Sequence, residues 1–484
     1  VPTYLSPGVY MEEVSSGSKP IEGVGTAVAA FVGFAETGPI HEPTLVTNWT
    51  QYVQTFGEFI PGSYLAHSVY AYFLNGGGAA YIVRIGESDE ANAPQAKAQL
   101  GPQADGKAPF VVSALTAGPA GDDITIEVAD ASEPTEDTFK LIVRGPDKSE
   151  EVFDNVTAAK GAKSLATRVK AESKLITVAE VRGAPAVVPP KGRTKLTGGT
   201  AVATVNVDPD DYIGSSADRT GFAGLEAIDE VTMLCVPDLM AAYQRGLVDA
   251  EGVKAVHLAM IAHCELMADR VAILDTLPGL NAQQVKEWRS ESGYDSKYAT
   301  VYWPWIKVMN PLEGRGENMP PSGSIAGIWA RNDATRGVHK APANEVIRGV
   351  LAPELQITKG EHDQLNPDAI NCIRSFPGQG IRVWGARTLS SDPEWRYLNV
   401  RRLFNFVEES IVSGTNWVVF EPNDMKLWDS VKRTVTMFLR RVWRDGALFG
   451  ATQAEAFYVK CDEENNPPEN RDAGILTVEI GIAP

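Results

Sequence analysis

The apolar positions of this chain fall first into a continuous run and then into helical periods. TAVAAFVGFA (26–35) is apolar throughout and ends before Gly38-Pro39, so it predicts a buried strand. TNWTQYVQTFG follows, with Thr47 or Asn48 as N-cap and Gly57 just past the end, which predicts a short helix. In SYLAHSVYAYFLNGGG (63–78), Leu65, Val69, Tyr72 and Phe73 share one face and Asn75-Gly76 stops the pattern, as an amphipathic helix requires. AAYIVRIG (79–86) predicts a strand. A strand, two helices and a strand open an α/β layer.

The pattern then changes. Residues 87–109 are rich in Ala, Pro, Gln and charge, without apolar period, as in a linker. FVVSALTA, DITIEVAD, TFKLIVRG and KLITVAEV alternate and predict a small β-rich domain, closed by the Pro/Gly-rich stretch 182–200. The α/β rhythm returns at Arg219. TGFAGLEAID predicts a helix and EVTMLCVPD a buried strand. A helix over 251–268, the strand RVAILDT, a helix over 281–290 and the strand YATVYWPWIKV follow, then helices near 395–412 and 424–444. GILTVEIGIA places Leu476, Val478, Ile480 and Ile482 on one face and Thr477, Glu479 and Gly481 on the other, a half-buried strand. A matching short segment, Val9-Tyr10-Met11-Glu12-Glu13-Val14, lies between Pro7-Gly8 and Ser15-Ser16-Gly17-Ser18. A strand on a loose Ser/Gly tether either edges its own domain or is meant for a neighbour.

At 484 residues the chain is long enough for two to four domains, and its 44% hydrophobic and 22% charged content is that of a globular protein. A net charge of −18 argues against non-specific nucleic-acid binding, which needs a basic surface. Cys235, Cys264, Cys372 and Cys461 are far apart and form no CxxC pair, so buried free thiols are expected rather than disulfides or metal ligands. No charged-then-apolar leader is visible, and the longest apolar run, Val24 to Ala35, falls short of the ~20 residues that span a bilayer. Folding in a cytoplasm-like compartment, without membrane insertion and with release by a route such as lysis, is expected.

Catalytic signatures are missing: GxxxxGK[ST], GxSxG, HExxH and a complete GxGxxG do not occur. Asn75-Gly76-Gly77-Gly78 follows a helix and is expected to stop it rather than cradle phosphate. Gly121-Asp122-Asp123 fits a turn, lacking partners at metal-ligand spacing. His263 and Cys264 are adjacent on a helix and diverge by about 100°, so packing is expected rather than a nucleophilic pair. His362-Asp363 lies in the polar stretch KGEHDQLNPD, expected as a solvated loop. No catalytic, cofactor or metal residue is nominated. Eight tryptophans (303, 305, 329, 384, 395, 417, 428, 443) lie in the C-terminal half; burial accounts for most, though interfaces also use such residues. The segment VKRTVTMFLRRVWR (431–444) holds Lys432, Arg433, Arg440, Arg441 and Arg444 and no acid, and Arg396, Arg401 and Arg402 precede it. This local positive face is either simply solvated or a docking surface for an acidic partner.

MPPSGSIAGIWARNDATRGVHKAPANEVIRGV (319–350) resembles the contractile tail sheath proteins of phages and phage-tail-like injection systems. YLSPGVYMEEV, TAVAAFVGFAETGP, YIVRIG, RTGFAGLEAIDEVTMLCVPD, IRVWGARTLSSDPEWRYLNVRRLFNFVEESI and WRDGALFG continue the resemblance in order, covering residues 1–86 and 210–484. SSGSKPIEGVGTAVAAFVGF is most similar to sheaths of the extracellular injection type, the antifeeding-prophage-like particles. The resemblance implies an α/β (α+β) multidomain fold. It has an N-terminal arm (1–23), the first part of the core (24–99), an inserted β-rich outer domain (100–205), the remaining core with the C-terminal sheath domain (206–465), and a C-terminal arm (466–484). It implies stacked six-fold rings around an inner tube, with baseplate and cap proteins as further partners and no cofactor. Donated strands then fall on Val9, Tyr10, Met11, Glu12, Glu13 and Val14, and on Ile475, Leu476, Thr477, Val478, Glu479, Ile480 and Ile482. The family's use of a C-terminal-domain helix against the tube makes Arg401 and Arg402 lead candidates, with Arg396, Lys432, Arg433, Arg440 and Arg441. On that reading, Arg401→Glu plus Arg402→Glu weakens assembly and leaves the subunit folded. Gly337, Pro342 and Gly349 fit tight turns, and Arg336, Lys340 and Arg348 either fold the core locally or pair with acids of adjacent subunits. The competing reading is a soluble α/β enzyme with an accessory β domain, disfavoured by the missing catalytic constellation.

Overall fold

The computed structural model describes residues 20–86, 95–101, 109–115, 119–145, 149–161, 163–181, 187–199 and 207–484; Val9–Val14 lie outside the described residues. The first elements are β1 (Val28–Gly33), β2 (Thr44–Val46), α1 (Trp49–Phe56), α2 (Leu65–Asn75) and β3 (Ala79–Arg84). Asn48 caps α1 through its side chain, and Gly76 ends α2 at φ +118, where a side chain is strained. An excursion follows: β4 (Lys97–Leu100), β5 (Phe110–Ala114), β6 (Thr125–Asp130), β7 (Thr138–Arg144), β8 (Glu150–Thr157), α3 (Leu165–Glu172), β9 (Ile176–Glu180) and β10 (Gly192–Lys195). These form two antiparallel sheets, β4-β5-β9 and β10-β6-β7-β8, around one apolar cluster running from Ala96 to Leu196. The alternation of buried and half-buried residues along β7 is the signature of a sheet packed on one face.

The chain returns through α4 (Pro209–Ile213), β11 (Met233–Cys235), α5 (Asp238–Gln244), α6 (Ala250–Met267), β12 (Val271–Asp275), α7 (Ala282–Ser292) and β13 (Ala299–Trp303). Next come β14 (Ile306–Asn310), β15 (Arg315–Met319), α8 (Ser322–Arg336), β16 (Glu345–Val346), β17 (Val350–Pro353), α9 (Lys359–Leu365), β18 (Ile370–Phe376) and β19 (Gly380–Val383). The principal sheet has nine strands in the order β16-β19-β18-β13-β12-β11-β1-β3-β2, with β3, β1, β11, β12, β13 and β18 parallel. Helices on both faces bury β12 and β13 completely, which is why these strands are apolar at nearly every position.

Three local expectations change. TGFAGLEAID is a single 3-10 turn, Ala223–Ala227, not a helix. YATVYWPWIKV divides at the cis Trp303-Pro304 bond into β13 and β14, which belong to different sheets. KGEHDQLNPD is helix α9, capped by Thr358, so His362 sits on a helix rather than in a loop. The sequence pattern also foresaw neither β18 nor α8, whose first nine residues are all buried. A helix buried all round shows no apolar stripe. Gly323 and Gly327, one turn apart, lie directly against the backbone of α2: an added Cβ would stand 2.4 Å from the Ser68 and Tyr72 carbonyl oxygens.

Helices α2 and α8 begin without a side-chain cap of their own, at Tyr64 and Pro321. Buried carboxylates at the end of β12 and at the start of α5, just after β11, replace it. Asp275 accepts from the Ser322 N–H at 3.1 Å and hydroxyl at 2.6 Å. Asp238 accepts from the Phe34 N–H at 2.6 Å, the Ser63 hydroxyl at 2.9 Å and the Tyr64 N–H. The strand order reverses between β1 and β11, where an open α/β sheet ordinarily leaves a ligand crevice. Here Asp238 occupies that position, and a Cβ on Gly33 would stand 2.4 Å from its carboxylate.

Burial pushes the Asp275 carboxyl up to about 7 and Asp238 up to about 6, against the opposing pull of their donors. An unfolded Asp titrates near ~3.9. Between those values the folded chain holds protons that the unfolded chain has released, so this contribution falls as pH rises from about 4 to 7 and is level above. Buried His67, His257 and His263, whose pKa burial lowers, pull the other way, so a difference measurement isolates the effect. Asp275→Asn is expected to gain stability relative to the wild type between pH 5 and pH 8. The gain is about 1.4 kcal/mol for each pH unit over which folded wild type holds this proton and unfolded wild type does not. Urea midpoints of both proteins at the two pH values check this; parallel profiles would show that Asp275 does not titrate in this range.

Candidate functional site

The C-terminal unit consists of α10 (Leu398–Thr415), α11 (Met425–Arg444), α12 (Gln453–Ala456), β20 (Phe457–Lys460), α13 (Pro468–Asp472) and β21 (Glu479–Ile482). Its apolar cluster joins Leu403 and Val407 of α10 to Trp428, Val431, Val435 and Phe438 of α11, and includes Ile21. The chain therefore crosses this unit before it enters β1. A Cβ on Gly23 would meet the Phe406 ring at 2.9 Å, and the Arg441 guanidinium donates to the Ile21 carbonyl at 2.6 Å.

Arg401 and Arg402 are buried in this arrangement, 1% and 4% exposed. Arg402 donates to both carboxylate oxygens of Asp333, at 2.9 and 2.6 Å, and to the Thr26 carbonyl at 3.0 Å. The Thr26 hydroxyl donates to the same carboxylate at 2.6 Å, and the Arg402 guanidinium lies 4.7 Å from the centre of the Trp329 ring. One side chain thus joins α10, the last turn of α8 and the segment leading into β1. Arg401 donates to Asn405 at 2.6 Å and Glu408 at 2.9 Å, and its guanidinium lies 4.4 Å from the Trp395 ring centre and 4.8 Å from that of Tyr298. The expectation that Arg401 and Arg402 lead a tube-facing surface is therefore corrected: both are packed inside their own chain. Arg396 is half-buried ahead of α10. Pattern alone misses Asp333, Thr26 and Trp329, because nothing local marks partners this far apart in sequence.

Helix α11 carries the exposed charge. Its buried face is Leu427, Trp428, Val431, Val435, Phe438, Leu439 and Val442. Lys426, Arg433 and Arg440 recur every seven residues on the opposite face, with Met437 and Arg444 beside them and Lys432 at the margin. Over this span the stripe is ~27 Å long. None of these cations is in an ion pair among the described residues; Arg440 donates to Gln453 at 3.0 Å. Lys426 belongs to the stripe and is not among the residues nominated from sequence; its seven-residue spacing from Arg433 is the signal that could have found it.

The C-terminal strand folds onto its own chain. Strand β21 pairs antiparallel with β20, Phe457 opposite Ile482 and Val459 opposite Ile480. Leu476, Val478, Ile480 and Ile482 face the α11 cluster, as their alternation predicts. The regular strand begins only at Glu479: Ile475 is exposed, and the Asn466 side chain brackets Thr477, accepting from its N–H at 2.6 Å and donating to its carbonyl at 2.9 Å. The expectation that residues 475–482 are handed to a neighbour meets a self-paired strand. The resulting sheet has two strands of four residues, and neither outer edge carries a ladder among the described residues.

Elsewhere, Lys340 pairs with Glu345 of its own chain at 2.9 Å rather than standing free for a neighbour. Among the described residues no group of three or more His, Cys, Asp or Glu is placed to hold a metal ion, and no helix is long and apolar enough to cross a membrane.

Two consecutive family models match the chain: the phage tail sheath protein central domain over residues 217–389 and the phage tail sheath C-terminal domain over 390–484. The tail sheath protein of Burkholderia phage BcepMu is 24% identical over 97% of this chain and 92% of its own length. That of Salmonella phage ViI is 26% identical over 43% of this chain, a match spanning 32% of the phage protein. Among solved structures, the helical sheath of the anti-feeding prophage in its contracted state superposes with TM-score 0.61 at 22% identity, covering 99% of this chain and 96% of that one. The sheath tail protein of Desulfitobacterium hafniense gives 0.58 at 12% identity, covering 94% of each. At these identities the structural likeness concerns the fold.

Removing one partner of a buried ion pair strands the other, at a cost of ~3–5 kcal/mol. Arg402→Ala is expected to lower stability by that order, and Arg401→Glu plus Arg402→Glu to prevent folding rather than leave a folded, assembly-deficient subunit. Urea unfolding followed by tryptophan fluorescence checks both; a wild-type midpoint for Arg402→Ala would remove the joint assigned to this pair.

Proposed function

This chain belongs to the contractile tail sheath family, and we propose from that premise how its copies hold one another and what they enclose. It is a structural subunit of a contractile sheath in a phage tail or tail-like particle, and not an enzyme. Copies stack as six-fold rings around an inner tube, between baseplate proteins at one end and a cap at the other. They assemble in the cytoplasm of the producing cell and leave it by lysis. Contraction exchanges one packing of the subunit for another of lower free energy, so firing draws on stored contact energy rather than nucleotide hydrolysis and drives the tube through the target envelope.

The observation that carries the linkage is the open sheet β20-β21. Two strands of four residues are marginal alone, and their unpaired edges are templates for another strand. Ile21, next to the first described residue, lies in the same apolar cluster as this sheet, which supports an N-terminal donor reaching it from a neighbouring copy. Val9–Val14 of one copy adds to the β20-β21 edge of the next: backbone hydrogen bonds supply affinity and alternate side chains set register. The donated strand is thus the N-terminal one, and Glu479–Ile482 is part of the acceptor. The Ser15–Ser18 tether lets subunits shift without leaving the network.

The tube-facing surface is the stripe of Lys432, Arg433 and Arg440, extended by Lys426 and Arg444, against an acidic tube exterior. Arg441 is already engaged with Ile21 and contributes less.

Two outcomes are expected. A chain lacking residues 1–18 stays folded by circular dichroism and loses the polymers that the full chain forms in negative-stain electron microscopy; unchanged polymers would remove strand donation. Arg433→Glu plus Arg440→Glu, both exposed, is expected to leave stability within ~0.5 kcal/mol and to abolish co-sedimentation with tubes. Co-sedimentation at the wild-type level would detach this stripe from the tube.

A further inference from the structure

We propose that Phe420 of one copy seats in the groove between α2 and β14 of a second copy, with Glu421 meeting Arg348 at its rim. This contact rests on the sheath reading, and deepens it by naming a second, strand-independent link between subunits.

Phe420 is conspicuous on two counts. It is fully exposed, with Val419 beside it also largely exposed. Its backbone lies at φ +72, a region that bulky residues avoid. The turn is nonetheless well fixed: Val419 and Glu421 donate backbone N–H bonds to Asn416 and Val418, at 3.3 and 3.1 Å, while Trp417 and Val418 pack on the α10–α11 cluster. An aromatic ring held outward by a strained, anchored turn costs strain and exposed apolar area together. Such outliers persist where the surroundings fix them, and they cluster at functional positions. Phe449 is also exposed, but its N–H is bound to the Ala483 carbonyl at the end of β21, where an added strand would cover it.

The groove has the complementary chemistry. It is a cleft of about 440 Å³ lined by Phe59, Tyr70, Leu74, Val308, Met309 and Met319, with Tyr70, Leu74 and Met309 exposed. Solvent meets more apolar than polar surface there. Arg348 stands on its rim. It reaches the Leu74 carbonyl at 3.4 Å and takes part in none of the ion pairs among the described residues, whereas Glu345 is engaged by Arg331 and Lys340. Glu421 is likewise exposed and in no ion pair among the described residues, so the two charges are complementary.

The knob sits on the C-terminal cluster and the groove on the core sheet's cluster, so the two are different patches of one chain. Two different complementary patches make a heterologous contact, which builds rings or open helices rather than closed dimers. That is the symmetry a stacked sheath needs.

All four native cysteines are buried, so engineered surface thiols give a clean readout. Full-length Phe420→Cys and Leu74→Cys proteins are mixed under polymerising conditions and treated with a short bis-maleimide. The expected result is a covalent dimer from the mixture and from neither protein alone, and a ladder of higher species from the double variant. Glu421→Arg is expected to suppress the dimer, and Glu421→Arg paired with Arg348→Glu on the partner to restore it. Polymers visible by electron microscopy without a cross-link, or dimers from Phe420→Cys alone, overturn the contact. Failure of the unmodified chain to polymerise overturns the sheath reading itself, and this contact with it.

Discussion

Three parts of this subunit meet at one guanidinium. Arg402 leaves α10, grips Asp333 with both of its terminal nitrogens and holds the Thr26 carbonyl. Asp333 lies in the last turn of α8, where the helix dipole disfavours a carboxylate, so the arginine offsets two unfavourable placements together. A buried pair of this kind adds little net stability over an apolar substitute. What it contributes is position: only one orientation of the C-terminal unit on the core satisfies all of its bonds. In a protein whose task is mechanical, the angle between those two bodies is a functional quantity.

The core is built to be stiff on the side that meets this joint. Gly323 and Gly327 bring α8 into backbone contact with α2, and the N-termini of both helices are held by buried carboxylates, Asp275 at the end of β12 and Asp238 at the start of α5. With Asp238 in the crevice where α/β enzymes bind ligands, the doubly wound scaffold serves as a strut. The adaptable features lie outward: the basic stripe on α11 is exposed and outside any ion pair among the described residues, the edges of β20-β21 carry no further ladder there, and Val419–Phe420 is exposed. Movement between packings can then exchange contacts at these surfaces while each core keeps its shape.

Much of this was legible along the chain. Apolar runs gave the parallel strands β1, β3, β11, β12 and β13 but not β18, the Asn48 and Gly76 signals bounded α1 and α2, and the alternation from Leu476 to Ile482 placed that face correctly on α11. The amphipathic period of α11 was plain for the same reason: one face is wet. Helix α8 was not legible, because complete burial erases the period and its glycines argue locally against a helix. The arginines of α10 misled for a related reason. A charged residue reads as surface unless its partner is known, and the partner of Arg402 lies 69 residues away in sequence.

By itself the sequence determined the type of the strongly patterned elements, the absence of the catalytic motifs, the interrupted α/β order and the family resemblance, because each of these resides in local periodicity or in extended similarity. Only the tertiary structure decided which charges face water. It buried Arg401 and Arg402, left Lys426, Arg433 and Arg440 exposed, folded Glu479–Ile482 back on Phe457–Lys460, and set Phe420 outward. Exposure is a property of what packs against a residue, and packing partners are chosen by long-range contacts that no local pattern records.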